Sequence, residues 1–268
     1  QHMEVYEYKH RGRLGPEEGD LKEARLLNRV ITWGPKGIEL EADQMHVEIA
    51  LAEMGLSNDK SVGTPGVKER ECEDEGEELS REETRKYRAV AARLNFLAID
   101  RPELQYAVKE ACRHMSAPTR EAWGILKRIG RYLRGAPRLV QRFESQELPE
   151  VLVATGDSDW AGCKRTRKST SGGLVRLGTH VLKAWSSTQG VISLSSGEAE
   201  YYAMLKCAST GFGVLSLAED MELMLDLELQ TDSSAAKGIA GRRGLGRTRH
   251  LAVAFLWLQE RVRVGNLR

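Results

Sequence analysis

Between Val151 and Asp232 the apolar pattern changes period twice, and this constrains the fold more than any other feature of the chain. The run VLVAT, residues 151–155, is continuously apolar, as expected of a central strand covered on both faces. GGLVRLGTHVLKAWS then reads as two strands around Gly178-Thr179, a Gly-X pair suited to a tight hairpin turn. In SSGEAEYYAMLKCASTGFGVLSLAEDM, Tyr201, Leu205, Ala208, Phe212 and Leu215 share one helical stripe, which predicts a long helix whose second half Gly211 and Gly213 weaken. LELQTD alternates Leu227, Leu229 and Thr231 and predicts the strand that follows. Strand, hairpin, helix, strand, helix is the order of a mixed α/β sheet, and it lets the first and fourth strands lie side by side in parallel.

Parallel neighbours have a chemical consequence, because open α/β sheets build their sites at the carboxyl ends of such strands. Asp157 and Asp232 both fall there, and Glu200, early in the crossover helix, can lean into the same place. Three carboxylates so close repel one another and need cations, and oxygen-only ligands point to Mg²⁺ or Mn²⁺ rather than zinc. Two such ions ~4 Å apart can activate a water and stabilise the leaving oxygen of an in-line phosphodiester cleavage. Taken singly, an Asp after a strand is more often a turn or cap residue, and a Glu in a first helical turn a dipole partner.

Charge is unevenly spread. The chain's formal net charge is +1, yet KERECEDEGEELSREE, Lys68 to Glu83, is strongly acidic, whereas Arg101 to Arg142 carries ten Lys or Arg against three acids. Such asymmetry suggests a polyanion partner for the basic parts and a solvated linker for the acidic one. Lys164, Arg165, Arg167 and Lys168 follow the first acid of the candidate site, and Arg242, Arg243, Arg247 and Arg249 follow the third. Both groups could hold the phosphates of a nucleic acid in register, since phosphate contacts position without reading sequence. A solvated basic surface is the alternative. Ser and Thr at 169, 170, 186, 187, 195 and 196 could donate to sugar or phosphate, or cap strand ends, and Trp160, Trp185 and Trp257, among apolar or small neighbours, are expected in the core.

Upstream, RVITW and GIELEA joined by GPKG read as a hairpin. DQMHVEIALAEMGL starts on an Asp cap, places Met45, Ile49, Ala52 and Leu56 at helical spacing and ends at Gly55. Ser80 and Glu83 form a capping box for the helix SREETRKYRAVAARLNFLAI. LQYAVKEACRHM and TREAWGILKRIGRYLRG predict two more helices, the second with Arg128, Arg131 and Arg134 gathered toward one side. The 268 residues exceed one usual domain, and the boundaries read as 1–67, an acidic linker 68–84, a helical segment 85–147 and an α/β unit 148–268. The longest apolar runs are too short to span a bilayer, and QHMEVYEYKHRGR has no apolar stretch of the kind a signal peptide needs, so a soluble, intracellular chain is expected. Cysteines 72, 112, 163 and 207 stand singly and read as reduced thiols, with neither a zinc site nor a disulfide framework implied.

GDSDWAGCKRTRKSTSGG, WSSTQGVISLSSGEAEYYA and TDSSAAKGI, followed by GRTRHLAVAFLWLQERV, closely resemble the ribonuclease H domain of copia-type LTR retrotransposon Pol polyproteins. That family's pattern runs S-D-x-D-W-A-G, W-S-S-K, L-S-S-x-E-A-E-Y, D-N-x-S-A and R-T-K-H-I-D. ARLNFLAIDRPELQYAVKEACRHMSAPTREAWGILKRIGRYLRG is similar to the segment joining reverse transcriptase to ribonuclease H, and SVGTPG to the S-T-P stretch near the end of the polymerase domain. The resemblance implies a ribonuclease H-like mixed sheet with flanking helices, preceded by a hairpin-plus-helix segment (1–67, the end of reverse transcriptase) and a mostly helical connection. It implies Asp157, Glu200 and Asp232 as metal-binding acids for two Mg²⁺ or Mn²⁺ ions, with Asp159 a supporting residue. Its partners would be an RNA–DNA hybrid and the remainder of the Pol polyprotein, with no membrane, and its location the cytoplasm, in virus-like particles, and the nucleus.

This sequence also departs from the pattern. It contains no Asp-Asp dipeptide, the paired-aspartate motif of such polymerases, so no polymerase activity is expected. The H-I-D triplet reads His250, Leu251, Ala252, which removes an acid, and VRVGNLR is expected to stop inside the family's last strand, before a helix carrying a fourth metal-binding acid. The implied reaction is metal-dependent hydrolysis of RNA in RNA–DNA hybrids, and the alternative is a catalytically inactive module that binds nucleic acid or packs against the polymerase.

Overall fold

The computed structural model describes residues 10–56, 59–67, 76–246, 248, 250–251, 253–265 and 267. The first sheet pairs β1 (Glu23–Leu26), β2 (Arg29–Gly34), β3 (Gly37–Glu41) and β4 (Val140–Glu144) in that order, antiparallel throughout. The hairpin β2–β3 is the one expected. β1 and β4 were not, since β4 lies in the segment 85–147 read as helical and reaches its partner only through tertiary folding.

Four helices pack against one another: α1 (Gln44–Met54), α2 (Arg81–Leu97), α3 (Gln105–Cys112) and α4 (Arg120–Gly135). Each starts where the sequence supplies a cap or a chain break. Asp43 accepts from Met45 N, Ser80 and Glu83 close the expected capping box, Thr119 accepts from Ala122 N, and Pro102 opens a 3₁₀ turn into α3. Gly55 ends α1 in the left-handed conformation at φ +69°. α1 buries only part of the stripe expected of it: Leu56 is buried, but Met45 and Ala52 are exposed, and Val47, Ala50 and Met54 are inward. The helix is apolar on most sides, so spacing alone did not fix which face meets α2 and α4.

Residues from the first 67 and from 85–147 share one core, in which Val47, Ala50 and Leu56 meet Tyr87, Leu94, Ile129 and Leu133. Arg128, Arg131 and Arg134 lie on the side of α4 that faces the segment before the acidic stretch. Arg128 donates to Thr64 Oγ1, Arg134 to Leu56 O, and Arg131 O accepts from Val62 N. Of the acidic stretch, 68–75 lie outside the described residues, while Leu79 N donates to Pro118 O and Arg120 pairs with Glu77, which holds 77–79 against the start of α4.

The second sheet has the order β7 (His180–Thr188), β6 (Thr170–Leu177), β5 (Val151–Ser158), β8 (Asp226–Gln230). β5–β6–β7 are antiparallel, and β5 and β8 are parallel, linked by the crossover helix α5 (Ser196–Asp220). Rather than being covered equally on both faces, β5 alternates: Leu152, Ala154 and Gly156 are buried under α5, while Val153 and Thr155 on the other face are half-buried. A Cβ on Gly156 would press on Cys207 of α5, and one on its partner Gly173 on Trp185 of β7 and then on Cys207, so this glycine pair lets helix and sheet approach closely at the end where the acids lie.

α5 runs unbroken through Gly211 and Gly213 for 25 residues. Packing outweighs propensity here, because a Cβ on Gly211 would lie 2.7 Å from Leu227 Cδ1 of β8. α6 (Ser234–Gly241) and α7 (Trp257–Arg263) complete this core with Ile239 and Leu258. Residues 262 and 263, expected in a final strand, close α7 instead. Trp160 is a second correction: expected in the core, it is 55% exposed.

Candidate metal centre

Strand register sets the site. Thr155 of β5 stands opposite Gln230 of β8, and two residues further along each parallel chain come Asp157 and Asp232, at the same level. Glu200 reaches them from the second turn of α5, whose start Ser195 fixes by accepting from Glu198 N. One carboxylate oxygen from each of Asp157, Glu200 and Asp232 lies within 4.8 Å of the others. Asp157 and Asp232 are exposed and Glu200 is half-buried.

Glu200 is held and strained electrostatically at once. Its Oε1 accepts from Ser158 N at 3.2 Å and Ser158 Oγ at 3.1 Å, while its Oε2 is buried with no partner. Burial raises its pKa above the ordinary glutamate value, Ser158 opposes this, and the charges of Asp157 and Asp232 raise it further. A carboxylate with one buried oxygen lacking a donor, in a cluster with two further carboxylates, fits a hard divalent cation.

Asp159 stands apart from the three. Its carboxylate accepts from Thr170 N, and its own N donates to Thr170 O, which closes the β5–β6 connection. Among the hydroxyls singled out, Ser195 caps α5, Ser169 is buried and accepts from Ala161 N, and Thr170 Oγ1 accepts from Lys109 Nζ at 2.9 Å.

Lys164, Arg165 and Arg167 are exposed on the β5–β6 connection, and Lys168 is half-buried. This loop is anchored through Cys163, whose Sγ accepts from Thr166 N, Thr166 Oγ1 and the Arg113 guanidinium of α3. Burial alone would push that thiol up, but these donors outweigh it and the pKa is lowered. Arg243 is exposed, whereas Arg242 turns its guanidinium onto Leu245 O and Thr248 Oγ1 of its own loop. Arg247, Arg249 and Ala252 lie outside the described residues.

Sequence reading missed Ser158 and the pair Glu198–His250. Glu198 is buried, and its Oε2 accepts from Leu194 N at 2.9 Å and meets His250 Nε2 at 2.8 Å. The pair ties the loop after α6 to the start of α5. Two acids spaced by one residue in GEAEY were the available signal, and only the fold distinguishes their roles. An open cleft of 540 Å³ borders the site, lined by Asp157, Ser158, Thr170 and Trp185 on the sheet side, with Pro102 and Tyr106 opposite.

No protein-family model matches the chain. It is 29% identical over 238 residues to the "Retrovirus-related Pol polyprotein from transposon RE2" of Arabidopsis thaliana, covering 87% of this chain and 16% of that one. To the corresponding polyprotein from transposon RE1 of the same plant it is 32% identical over 185 residues, 68% of this chain and 13% of the relative. The chain therefore spans about a sixth or less of the length of these relatives. Among solved structures, a foamy viral protease-reverse transcriptase in complex with RNA/DNA hybrid superposes on 92% of this chain and 28% of its own, with a TM-score of 0.50 at 13% identity, a likeness of fold. The mixed sheet with flanking helices is ribonuclease H-like, and the chain belongs to the copia-type retrotransposon Pol polyproteins.

Proposed function

We propose that this protein hydrolyses the RNA strand of RNA–DNA hybrids at Asp157, Glu200 and Asp232. The observation that carries the reading is the meeting of these three carboxylates, one oxygen of each lying within 4.8 Å of the others. Mg²⁺ or Mn²⁺ held there would supply the Lewis acidity that activates water and stabilises the leaving oxygen of an in-line displacement. Ser158 donates twice to one Glu200 oxygen and so fixes the orientation of that carboxylate beside the two aspartates. Lys164, Arg165, Arg167, Lys168, Arg242, Arg243, Arg247 and Arg249 are the candidate phosphate contacts, the first three on the loop that leaves the site at Ser158. Hydrolysis proceeds without a covalent intermediate, and the absence of an Asp-Asp pair argues against polymerisation. The remainder of the Pol polyprotein is the proposed protein partner.

The test is to present one RNA sequence in three forms, hybridised to DNA, hybridised to RNA and single-stranded, with Mg²⁺ or Mn²⁺. Cleavage confined to the RNA of the hybrid supports the reading. Hybrid binding that is indifferent to the metal, with no strand cut, would instead make the domain a binding module.

A further inference from the structure

The loops that meet at the start of α5 are inside out. Ser169, Ser171, Gln189 and Ser193 are buried, whereas Trp160, Ile192 and Leu194 are 55%, 52% and 66% exposed. Disorder does not explain this, because the backbone is held by a continuous set of hydrogen bonds. Trp160 Nε1 donates to Ser193 O at 3.1 Å, Ser193 Oγ to Gln189 Oε1 at 2.9 Å, and Gln189 Nε2 to Ser171 Oγ and Ala199 O. Leu194 N is held by Glu198, two residues before Glu200. Large apolar side chains kept in water on a fixed backbone mark a surface that something covers.

We infer that Trp160, with Ile192 and Leu194 beside it, is a fixed apolar contact for the nucleic-acid duplex at the acid site. This deepens, and rests on, the proposed function. Two observations select nucleic acid as the occupant. Trp160 lies three residues beyond Asp157, on the connection that also carries the exposed Lys164, Arg165 and Arg167, so the same loop offers an apolar surface and positive charge to a polyanion. The segment bearing Ile192 and Leu194 leads directly into the helix that presents Glu200. Duplex-binding proteins set apolar side chains against the bases while cations hold the phosphates. The bond to Ser193 fixes the indole before a ligand arrives, which lowers the entropic cost of using it.

The experiment measures binding of a fluorescein-labelled RNA–DNA hybrid to the full chain by anisotropy, without divalent ions, over a series of salt concentrations. Trp160→Ala is expected to weaken binding about tenfold without changing the salt slope, as for a lost apolar contact that neutralises no phosphate. Trp160→Phe, which keeps a ring but loses the N–H bond to Ser193, should retain most of the affinity. Lys164→Ala should weaken binding and lower the slope by about one, as for a lost phosphate contact. Wild-type affinity in Trp160→Ala would overturn the inference. So would equal losses in the Ala and Phe variants, since the indole would then only brace the loop. A concentration-dependent dimer that dissociates in Trp160→Ala would also overturn it by assigning the patch to a second copy of the chain. A wild-type chain that neither binds nor cleaves the hybrid would overturn the proposed function itself, a different result from any of these.

Discussion

Two glutamates, one in each half of the molecule, are shifted in opposite directions. Glu41, on the first sheet, is lowered, chiefly because the Arg138 guanidinium donates to both its oxygens at 2.8 Å. Glu200, beside the second sheet, is raised, because it is buried and its charged neighbours are Asp157 and Asp232. The contrast extends beyond the pair. In the first half Asp100 meets Arg29 at 2.6 Å and Glu110 meets Arg113 at 2.7 Å, and the buried Arg101 is satisfied by Glu103, Ala136 O and Pro137 O. Among the described residues no cation pairs with Asp157, Glu200 or Asp232. One region uses charge to hold itself together, and the other gathers like charge that a bound cation would neutralise.

The largest effect that sharpens this contrast is on cleavage. Asp157→Asn and Asp232→Asn should each reduce hydrolysis of the hybrid's RNA strand by at least ~10³-fold, beyond the ~10–100-fold typical of residues that only support a metal ligand. Equal activity in wild type and variants would break it. Next comes stability. Asp100→Asn should cost about 2 kcal/mol in denaturant unfolding, because Arg29 loses a charged partner in a largely buried place, with no change in response to Mg²⁺. The opposite sign is expected at the site. In metal-free buffer at neutral pH, Asp157→Asn should leave the fold as stable as wild type or up to about 1 kcal/mol more stable, by relieving repulsion. A clear loss of stability there would mean that Asp157 is structural.

The smallest effect is at Glu41. Its pKa is lowered in the folded state, so its contribution is present above the ordinary glutamate value of 4.5 and disappears as pH falls through the lowered value. Glu41→Gln should therefore lower the melting temperature by about 1 °C or less at neutral pH, with the difference vanishing in acid. A difference that grows in acid would contradict the pairing with Arg138.

Local pattern revealed the parts of the fold whose partners are near in sequence. The capping box at Ser80 and Glu83, the turn at Gly178 and the period of α5 each depend on neighbours within one turn or hairpin. β4 was hidden because VQRFE acquires its meaning only beside β3, about a hundred residues earlier. The inward face of α1 was misjudged because a helix between two others is apolar on more than one side. At the candidate site, the strand–helix–strand order alone brings Asp157, Glu200 and Asp232 together. Their supporting contacts were not legible, since Ser158 is set by how closely α5 meets the Gly156–Gly173 pair and Glu198–His250 by a loop from beyond α6. Trp160 was assigned to the core from its small neighbours, although a side chain's exposure depends on which loop stands opposite it.

The most direct measurement of whether the three acids are built for a divalent ion is a titration of the metal-free chain with Mn²⁺, followed by electron paramagnetic resonance of the free ion, beside Asp157→Asn and Asp100→Asn. The expected result is saturable uptake by wild type and Asp100→Asn that is weakened at least tenfold in Asp157→Asn. Equal uptake by all three proteins, or none by wild type, would contradict a metal centre at Asp157, Glu200 and Asp232.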